Sequence, residues 1–291
     1  MKKIVFTDSH IEESCLDELE KVFKEILKYT KDADVLVCVG DYYERNNPTA
    51  KEIDFGTRWA ITFKQHFKRF VMVAGNHTAI SKDMTSVTYL RHFGIEIVED
   101  IVLDGTYYGH FMVKESLCGF NEKRTADSLL EKYELSILGH QHTYQVIQEG
   151  DAMIVHPGSC RYVDFGEASD RSKYLLYVEE CGFNTIILSN VRPMVDVHSV
   201  KELKKLTPNY QVRVIFDDFQ QFLREADELE KVKEKFFKFK TKFNFARQAT
   251  ITRGNSNNTT EQIVSTWLES IIEPEVQEEI TREFKRVGIC K

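Results

Sequence analysis

Five short motifs bring together residue types that bind metal ions. In chain order they are Asp8-Ser9-His10, Gly40-Asp41, Gly75-Asn76-His77, the isolated His110 and Gly139-His140-Gln141-His142. Each motif alone is weak evidence, because a carboxylate or a histidine after a strand often occurs by chance. As an ordered set they supply two carboxylates, an amide oxygen and several imidazoles. Such a mixture of oxygen and nitrogen donors suits Mn, Fe or Zn.

These donors suffice for two metal ions that share one carboxylate. Ions in two-metal sites lie about 3.5–4 Å apart, and Asp41 is the candidate bridge because ligands stand on either side of it. We assign Asp8, His10, Asp41 and His142 to the first ion, and Asp41, Asn76, His110 and His140 to the second. Such a pair activates water for in-line attack on phosphorus. His77 lies outside both sets and is a candidate proton donor to the leaving oxygen.

The alternative for any single histidine is a structural residue with satisfied hydrogen bonds. This interpretation is favoured for His66, His92 and His198, which have no motif around them, and for His156. Cys160 has no evident histidine partner and is interpreted as non-catalytic. Chance does not explain the ordered set of motifs.

The motifs lie beside short apolar runs of the kind that form buried strands. The runs are Lys3–Thr7, Asp34–Val39, Phe70–Ala74, His110–Val113, Leu135–Leu138, Met153–His156 and Lys173–Val178. Residues 16–27 carry apolar side chains at helical spacing after the first run. Because an α/β sheet collects ligand side chains at its strand ends, we expect an α/β fold with helices on the outer faces of its sheets.

The composition excludes several classes of protein. The 291 residues are 42% hydrophobic with a formal net charge of −7, which is unlike a disordered or collagen-like chain. The apolar runs are far shorter than the ~20 residues that span a bilayer. Six scattered cysteines without a CxxC pair indicate reduced thiols. We therefore expect a cytoplasmic protein that is neither secreted nor bound to a membrane.

The pattern loosens near residues 191–209, which predicts a catalytic domain over residues 1–195 and a second region over residues 205–291. The second region is expected to contain the strand Gln211–Phe216, a helix from about Asp218, the strand Phe237–Phe245, a polar loop Gly254–Thr260 and amphipathic helices Glu261–Ile272 and Glu275–Val287. The last two helices either cover their own domain or offer an apolar face to a partner, and the first interpretation is the more usual.

A basic window over residues 231–253 has a net charge of +7. On its predicted strand Lys238, Lys240 and Lys242 share one face, and the alternating phenylalanines, expected to be core, share the other. The lysines are either phosphate contacts for a nucleic acid or charges that keep a sheet edge soluble. Charge alone favours the second interpretation.

The motif order DxH, GD, GNH, H, GHxH at residues 8–142 resembles the calcineurin-like metallophosphoesterase superfamily. The resemblance implies a four-layer α/β-β/α sandwich with a dinuclear metal centre. Two positions depart from the family pattern. Tyr42-Tyr43-Glu44 follows Gly40-Asp41 where another Asp is common, and Thr78 follows His77 where Asp or Glu is common. Neither position is a ligand in our assignment, so the departures concern the tuning of the site.

A narrower resemblance is to the SbcD-type nuclease subunits of double-strand-break repair. It rests on four segments: His110–Val113 with Glu115, Ser116 and Gly119; Leu138–His142; Pro157–Tyr162; and Phe165–Glu167. The small strand–helix–strand region after residue 200 resembles that family's capping domain, and the short chain resembles virus-encoded recombination nucleases in size.

This resemblance implies a DNA exonuclease or single-strand endonuclease that uses two divalent ions, most simply Mn²⁺. It also implies an SbcC-like ABC-type ATPase partner and a homodimer formed through helices such as residues 57–70. Because the resemblance implies a DNA substrate, the face formed by Lys238, Lys240 and Lys242 becomes a candidate DNA-binding surface. The alternatives are a small-molecule phosphodiesterase or phosphoprotein phosphatase on the same site, and a metal-poor scaffold, against which the complete ligand set argues.

Overall fold

The computed structural model describes residues 1–81, 84–114, 117–118, 125–180, 182–244 and 282. The chain divides into two compact units, Met1–Pro193 and Met194–Lys291. The first unit carries all five motifs, and the second carries the lysine-rich strand.

The strands of the described residues are short and are numbered in chain order. They are β1 (Lys3–Phe6), β2 (Val35–Val39), β3 (Arg69–Val73), β4 (Ala79–Ser81), β5 (Met84–Thr85), β6 (Glu96–Val98), β7 (Ile101–Leu103), β8 (Thr106–His110), β9 (Val113–Lys114), β10 (Leu117–Cys118), β11 (Leu135–Gly139), β12 (Gln145–Glu149), β13 (Ala152–His156), β14 (Tyr174–Glu179), β15 (Gly182–Ile187), β16 (Met194–Val197), β17 (Gln211–Phe216) and β18 (Lys238–Phe243).

Within the described ranges the helices are fewer than the strands and vary more in length. The α-helices are α1 (Leu16–Ile26), α2 (Ala50–His66), α3 (Ala126–Leu130), α4 (Val200–Leu203) and α5 (Phe219–Lys233). Short 3₁₀ helices occur at Glu13–Cys15, Leu27–Tyr29, Thr88–Phe93 and Phe165–Glu167.

Two sheets form the body of the first unit. The six-stranded sheet has the order β15-β14-β1-β2-β3-β6, in which β1, β2, β3 and β6 are parallel and β14 is antiparallel to β1. The five-stranded sheet has the order β12-β13-β11-β8-β7, with β13, β11 and β8 parallel. Every residue of β1 and β2 is buried, as expected for strands covered on both faces.

Apolar clusters on the sheet faces define four layers. Val37 of the first sheet and Ile137 of the second lie in one cluster, so the two sheets pack face to face. On the outer face of the first sheet, Phe6 clusters with the helical residues of α1 and α2. Leu129 of α3 clusters with Leu138 on the outer face of the second sheet. The predicted α/β fold with its four-layer α/β-β/α sandwich is confirmed.

Helix α2 begins at a complete capping box. The Thr49 hydroxyl accepts a hydrogen bond from the Glu52 amide at 3.3 Å, and the Glu52 carboxylate accepts one from the Thr49 amide at 2.8 Å. This exchange satisfies two amides that the first turn would otherwise leave unpaired. The segment between the second motif and α2 is thereby anchored at its far end.

The described part of the second unit is a three-stranded parallel sheet with two helices. The order is β16-β17-β18, and α5 connects β17 to β18. Asp218 caps α5 by accepting from the amides of Gln220 and Gln221. Phe239 and Phe243 pack against the core of the unit.

The structure corrects several expectations. The strand predicted over His110–Val113 instead ends at His110, because the preceding residues from Thr106 already pair with β11. Residues 191–209, where the sequence pattern loosens, contain β16 and α4, and the two units divide in this range between Pro193 and Met194. The last strand ends at Phe243, and Phe237, predicted as core, is 38% exposed. The Gly254–Thr260 loop, the two C-terminal helices and residues 115, 116 and 119 lie outside the described residues.

In the part of the chain that the structure describes, no helix combines the length and the apolar character needed to cross a membrane.

Candidate metal centre

All the motif side chains lie at the carboxyl ends of strands. Asp8 and His10 follow β1, Asp41 follows β2, and Asn76 follows β3. His110 is the last residue of β8, and the two histidines of the fifth motif follow β11. Because these strands are parallel within each sheet, their ends meet at one edge, where α/β proteins place their ligands.

The first group consists of Asp8, His10 and His142. The Nε2 atoms of the two histidines lie 3.0 Å apart, and each lies within 3.7 Å of Asp8 Oδ1. Asp8 is fully buried, yet its Oδ1 atom has no hydrogen-bond partner among the described residues. A buried carboxylate oxygen without a donor is costly, and a cation between these three atoms would remove that cost.

The second group consists of Asn76, His110 and His140 around Asp41. Asn76 Oδ1 lies 3.1 Å from His110 Nε2 and 2.8 Å from His140 Nδ1. Asp41 Oδ2 lies 3.1 Å from the same His110 nitrogen. Four donor atoms therefore converge on one point from four different strand ends.

Asp41 lies between the two groups. Its carboxylate falls within 4.8 Å of ligand atoms of His10 on one side and of His110 and His140 on the other. This is the position that the sequence assigned to a bridging carboxylate. The structure thus brings together all seven residues predicted as ligands.

The backbone at this edge is strained. Asp8, His10, Asp41 and His140 have φ angles of 52°, 45°, 42° and 79°, in the left-handed region that residues with a side chain rarely adopt. Strain of this kind persists where the surrounding structure enforces it, and it clusters at functional sites. Four of the seven predicted ligands share it.

Two glycines allow the close approach of the ligands. A Cβ atom on Gly40, whose φ is +92°, would overlap the His110 ring, and a Cβ atom on Gly75 would overlap the Asp41 carboxylate. These motif positions therefore require glycine for space, and Gly40 also for its backbone conformation.

Two glutamates that the ligand assignment omitted contact the Nδ1 atoms of the first group. Glu44 Oε2 lies 2.8 Å from His10 Nδ1, and Glu167 Oε1 lies 3.3 Å from His142 Nδ1. Glu44 belongs to the segment Tyr42-Tyr43-Glu44, in which the family commonly has a second Asp. Sequence signals for both were present, since Glu44 follows the second motif and Glu167 closes a capping box with Asp164.

Thr78 has a structural role at the other departure from the family pattern. Its hydroxyl donates to the Gly75 carbonyl at 2.8 Å and accepts from the Gly75 amide at 3.2 Å. The threonine closes the turn that presents Asn76.

The electrostatics of the site follow from burial and paired charges. Burial alone would lower the pKa of His10, but Asp8 and Glu44 raise it to about 9. Burial would raise the pKa of Glu167, but His142 and Lys173 lower it to about 2. Burial and the neighbouring His110 lower the pKa of His140. Burial would also raise the pKa values of Asp8, Asp41 and Glu44, but neighbouring histidines lower them, so these carboxylates are ionised near neutral pH.

His77 borders the site outside the two groups assigned above, although one of its ring nitrogens lies within 4.8 Å of ligand atoms of His10 and Asp41. Its amide donates to Asp41 Oδ1 at 2.9 Å, and its Nδ1 atom lies 2.7 Å from the Glu44 carbonyl oxygen. Its ring meets the His10 ring edge-on at 4.9 Å, and the residue is exposed. The side chain is placed to reach a substrate from solvent.

None of the remaining candidates belongs to the groups of converging ligand atoms among the described residues. His66, His92 and His198 are exposed residues elsewhere. His156 is buried, and burial lowers its pKa to about 4. Cys160 is also buried, and burial raises the pKa of its thiol. Lys238, Lys240 and Lys242 lie on β18 of the second unit.

The donor set fits a divalent metal centre. Carboxylate, amide oxygen and imidazole nitrogen atoms converge, and the unpaired Asp8 oxygen points toward histidine nitrogens. Unlike an all-oxygen set, this mixture suits Mn, Fe or Zn.

A family model for the calcineurin-like phosphoesterases matches residues 1–217. The chain belongs to this family, which supports a hydrolase acting on phosphoester bonds. No curated protein sequence matches the chain.

Three solved structures are similar to part of the chain. An archaeal phosphodiesterase is 15% identical with a TM-score of 0.42 and covers 65% of this chain and 100% of its own. A predicted phosphoesterase from Streptococcus pneumoniae is 18% identical with a TM-score of 0.37, covering 65% and 89%. A Thermotoga maritima protein is 19% identical with a TM-score of 0.37, covering 64% and 97%. The assignment to the family rests on the family model.

Proposed function

We propose that this protein is a divalent-metal-dependent nuclease that hydrolyses phosphodiester bonds of DNA. The observation that carries the hydrolytic part is the convergence of Asp8, His10 and His142 with the second group around Asp41. The DNA part is supported by the resemblance of the motif run to SbcD-type subunits and by the lysine face of β18.

The chain's own residues have separate tasks in this reaction. Asp8, His10, Asp41 and His142 would hold one cation, and Asp41, Asn76, His110 and His140 the other. Divalent cations in such a site polarise the phosphoryl group and acidify water. His77 donates a proton to the leaving oxygen, because it is the exposed imidazole beside the ligands.

The proposal extends to the metal and to the partners. We take Mn²⁺ as the working metal, an SbcC-like ABC-type ATPase as partner, a homodimer as the assembled state and the cytoplasm as the compartment. These elements are supported by the resemblance to the repair nucleases. Exonuclease and single-strand endonuclease activities both remain within the proposal.

The test is a nuclease assay on end-labelled duplex and single-stranded DNA after chelation and titration with Mn²⁺. Asp8→Asn keeps the size of the ligand but removes its charge, and His92→Ala is a control at an exposed histidine elsewhere. We expect Mn²⁺-dependent cleavage by the wild type and the control, and at least about a hundredfold loss for Asp8→Asn.

A chromogenic phosphodiester run in parallel separates the alternatives. Hydrolysis of the chromogenic ester without any DNA cleavage would identify a small-molecule phosphodiesterase and contradict the nuclease proposal. Failure of the purified protein to take up metal would contradict the metal centre itself.

A further inference from the structure

The two histidines of the first group have carboxylates behind them. Glu44 Oε2 lies 2.8 Å from His10 Nδ1, an ion pair that is not aligned as a linear hydrogen bond. Glu167 Oε1 lies 3.3 Å from His142 Nδ1. Both pairs leave the Nε2 atoms directed at each other beside Asp8.

In the second group, the histidine whose rear nitrogen has a described partner contacts a neutral carbonyl. His110 Nδ1 lies 2.8 Å from the backbone carbonyl of Val39. His140 directs its donor atom Nδ1 at Asn76 Oδ1, another predicted ligand, and no ion pair between its Nε2 atom and a carboxylate is found among the described residues. Asp41 is the one carboxylate of this group, and it is shared with the first.

Both glutamates are held in place by the protein. The Glu44 amide donates to the Ile11 carbonyl at 3.2 Å, and the Glu44 carbonyl faces His77 Nδ1. Glu167 accepts from the Ser159 hydroxyl at 2.7 Å and from the Val163 amide at 2.9 Å, and it pairs with Lys173. These bonds fix the backbone of Glu44 and the side chain of Glu167, and a side chain fixed as that of Glu167 is positions a ligand without further ordering.

A carboxylate behind an imidazole has two effects on a ligand. It fixes the proton on Nδ1, and it makes Nε2 a stronger donor to a cation. A carbonyl also fixes the proton, but it is neutral and adds less to the strength of the donor. The negative charges of Glu44 and Glu167 also act directly on a cation nearby, and Lys173 offsets part of the second charge.

We propose that the two halves of the metal centre are unequal, so that the half built on Asp8, His10 and His142 binds a divalent cation first and more tightly. Glu44 and Glu167 are the positioning residues that create the difference. The inference rests on the proposed metal centre and goes beyond it by assigning an order of binding.

Glu44→Gln is the test variant, because Glu44 is partly exposed and has no lysine partner among its described contacts. Glu12→Gln is the matched control. Glu12 lies two residues from His10, and its carboxylate contacts Arg161 at 3.4 Å instead of an imidazole. Each metal-free protein is titrated with Mn²⁺ in a calorimeter, and its melting is recorded by circular dichroism.

We expect two binding steps for the wild type and for Glu12→Gln. Glu44→Gln should weaken the tighter step by about 10- to 100-fold and leave the weaker step unchanged. Glu167→Gln should act in the same direction, and its metal-free melting curve reports any loss of fold at this buried residue.

Two equal steps in the wild type, or an effect of Glu44→Gln on the weaker step alone, would overturn the inference while leaving the metal centre intact. No uptake of Mn²⁺ by the wild type would instead overturn the proposed function. If Glu12→Gln weakened the tighter Mn²⁺ step as much as Glu44→Gln, the effect of Glu44 would come from its negative charge in general and not from its contact with His10.

Discussion

His77 stands beside the ligands without joining either group, and this placement gives its role a direct test. We expect His77→Ala to slow DNA hydrolysis by about 10²–10⁴-fold, since a positioned general acid contributes that much. Hydrolysis of bis(p-nitrophenyl) phosphate should fall far less, because p-nitrophenolate leaves without needing a proton. Calorimetry should show unchanged metal binding. Equal losses on both substrates would mean that His77 acts through its contacts with Asp41 and Glu44.

The lowered pKa of a second residue, His156, allows a prediction of how the free energy of unfolding depends on pH. Burial lowers its pKa to about 4 from an unfolded value near 6.5, so the folded state favours the neutral ring. The contribution is fully present above pH 6.5 and is lost as the pH falls toward 4. Between pH 6.5 and 5 this loss amounts to about 2 kcal/mol.

Urea unfolding of the metal-free protein at several pH values measures this effect. His156→Gln should reduce the loss of stability between pH 6.5 and 5, whereas His198→Gln, at an exposed histidine, should leave it unchanged. An identical pH slope for the wild type and His156→Gln would contradict the prediction.

At the scale of elements, the turn after β3 depends on the space beside Gly75. A Cβ atom there would overlap the Asp41 carboxylate, so Gly75→Ala should displace the bridging position. We expect loss of metal binding in calorimetry with a folded circular-dichroism spectrum. Gly182→Ala is the control, because its Cβ would meet the Glu179 carbonyl at an ordinary 3.7 Å. Normal metal uptake by Gly75→Ala would show that the turn can shift to admit a methyl group.

The sequence predicted the elements well where patterns are local. The run Asp34–Val39 corresponds to β2 at Val35–Val39, because a buried parallel strand is a continuous apolar run. The strand predicted over His110–Val113 was wrong. These residues are as hydrophobic as a strand, but the strand that pairs with β11 is Thr106–His110. Register between distant strands decides such cases, and a local pattern does not contain it.

The candidate site was also predictable only where the pattern is local. The seven predicted ligands carry a motif because each lies at or just after the end of a strand, and the structure brings them together. The contacts of Glu44 and Glu167 with histidines depend on how loops fold back across the sheet edge. Spacing along the chain does not specify those paths, so the two positioning residues were missed as a pair.

At the scale of the whole molecule, the net charge of −7 is unevenly distributed. Residues 1–190 have a net charge of −9 and residues 191–291 one of +2. The acidic total therefore does not argue against DNA, because contact with phosphates is a local matter. The lysine face of β18 is the part of the described chain where this can be tested.

Replacing Lys238, Lys240 and Lys242 with glutamine should weaken DNA binding and reduce its dependence on salt. Each lost phosphate contact lowers the slope of log K against log salt by about 0.9 for duplex DNA. Fluorescence anisotropy at several salt concentrations measures this slope, and hydrolysis of the chromogenic diester should be unchanged. An unaltered slope would favour the interpretation that the lysines only keep the sheet edge soluble.

The pairing of β1 with both β2 and β14 has a consequence for synthesis of the chain. Lys3–Val5 pairs with Leu176–Val178, so the strand that carries Asp8 and His10 gains one of its neighbours only after some 175 further residues are made. At about 5–20 residues per second this takes roughly 10–35 s. During that time an apolar strand at the start of the chain has one edge unpaired on the ribosome. We therefore expect this open edge to be able to pair with another chain until β14 is made.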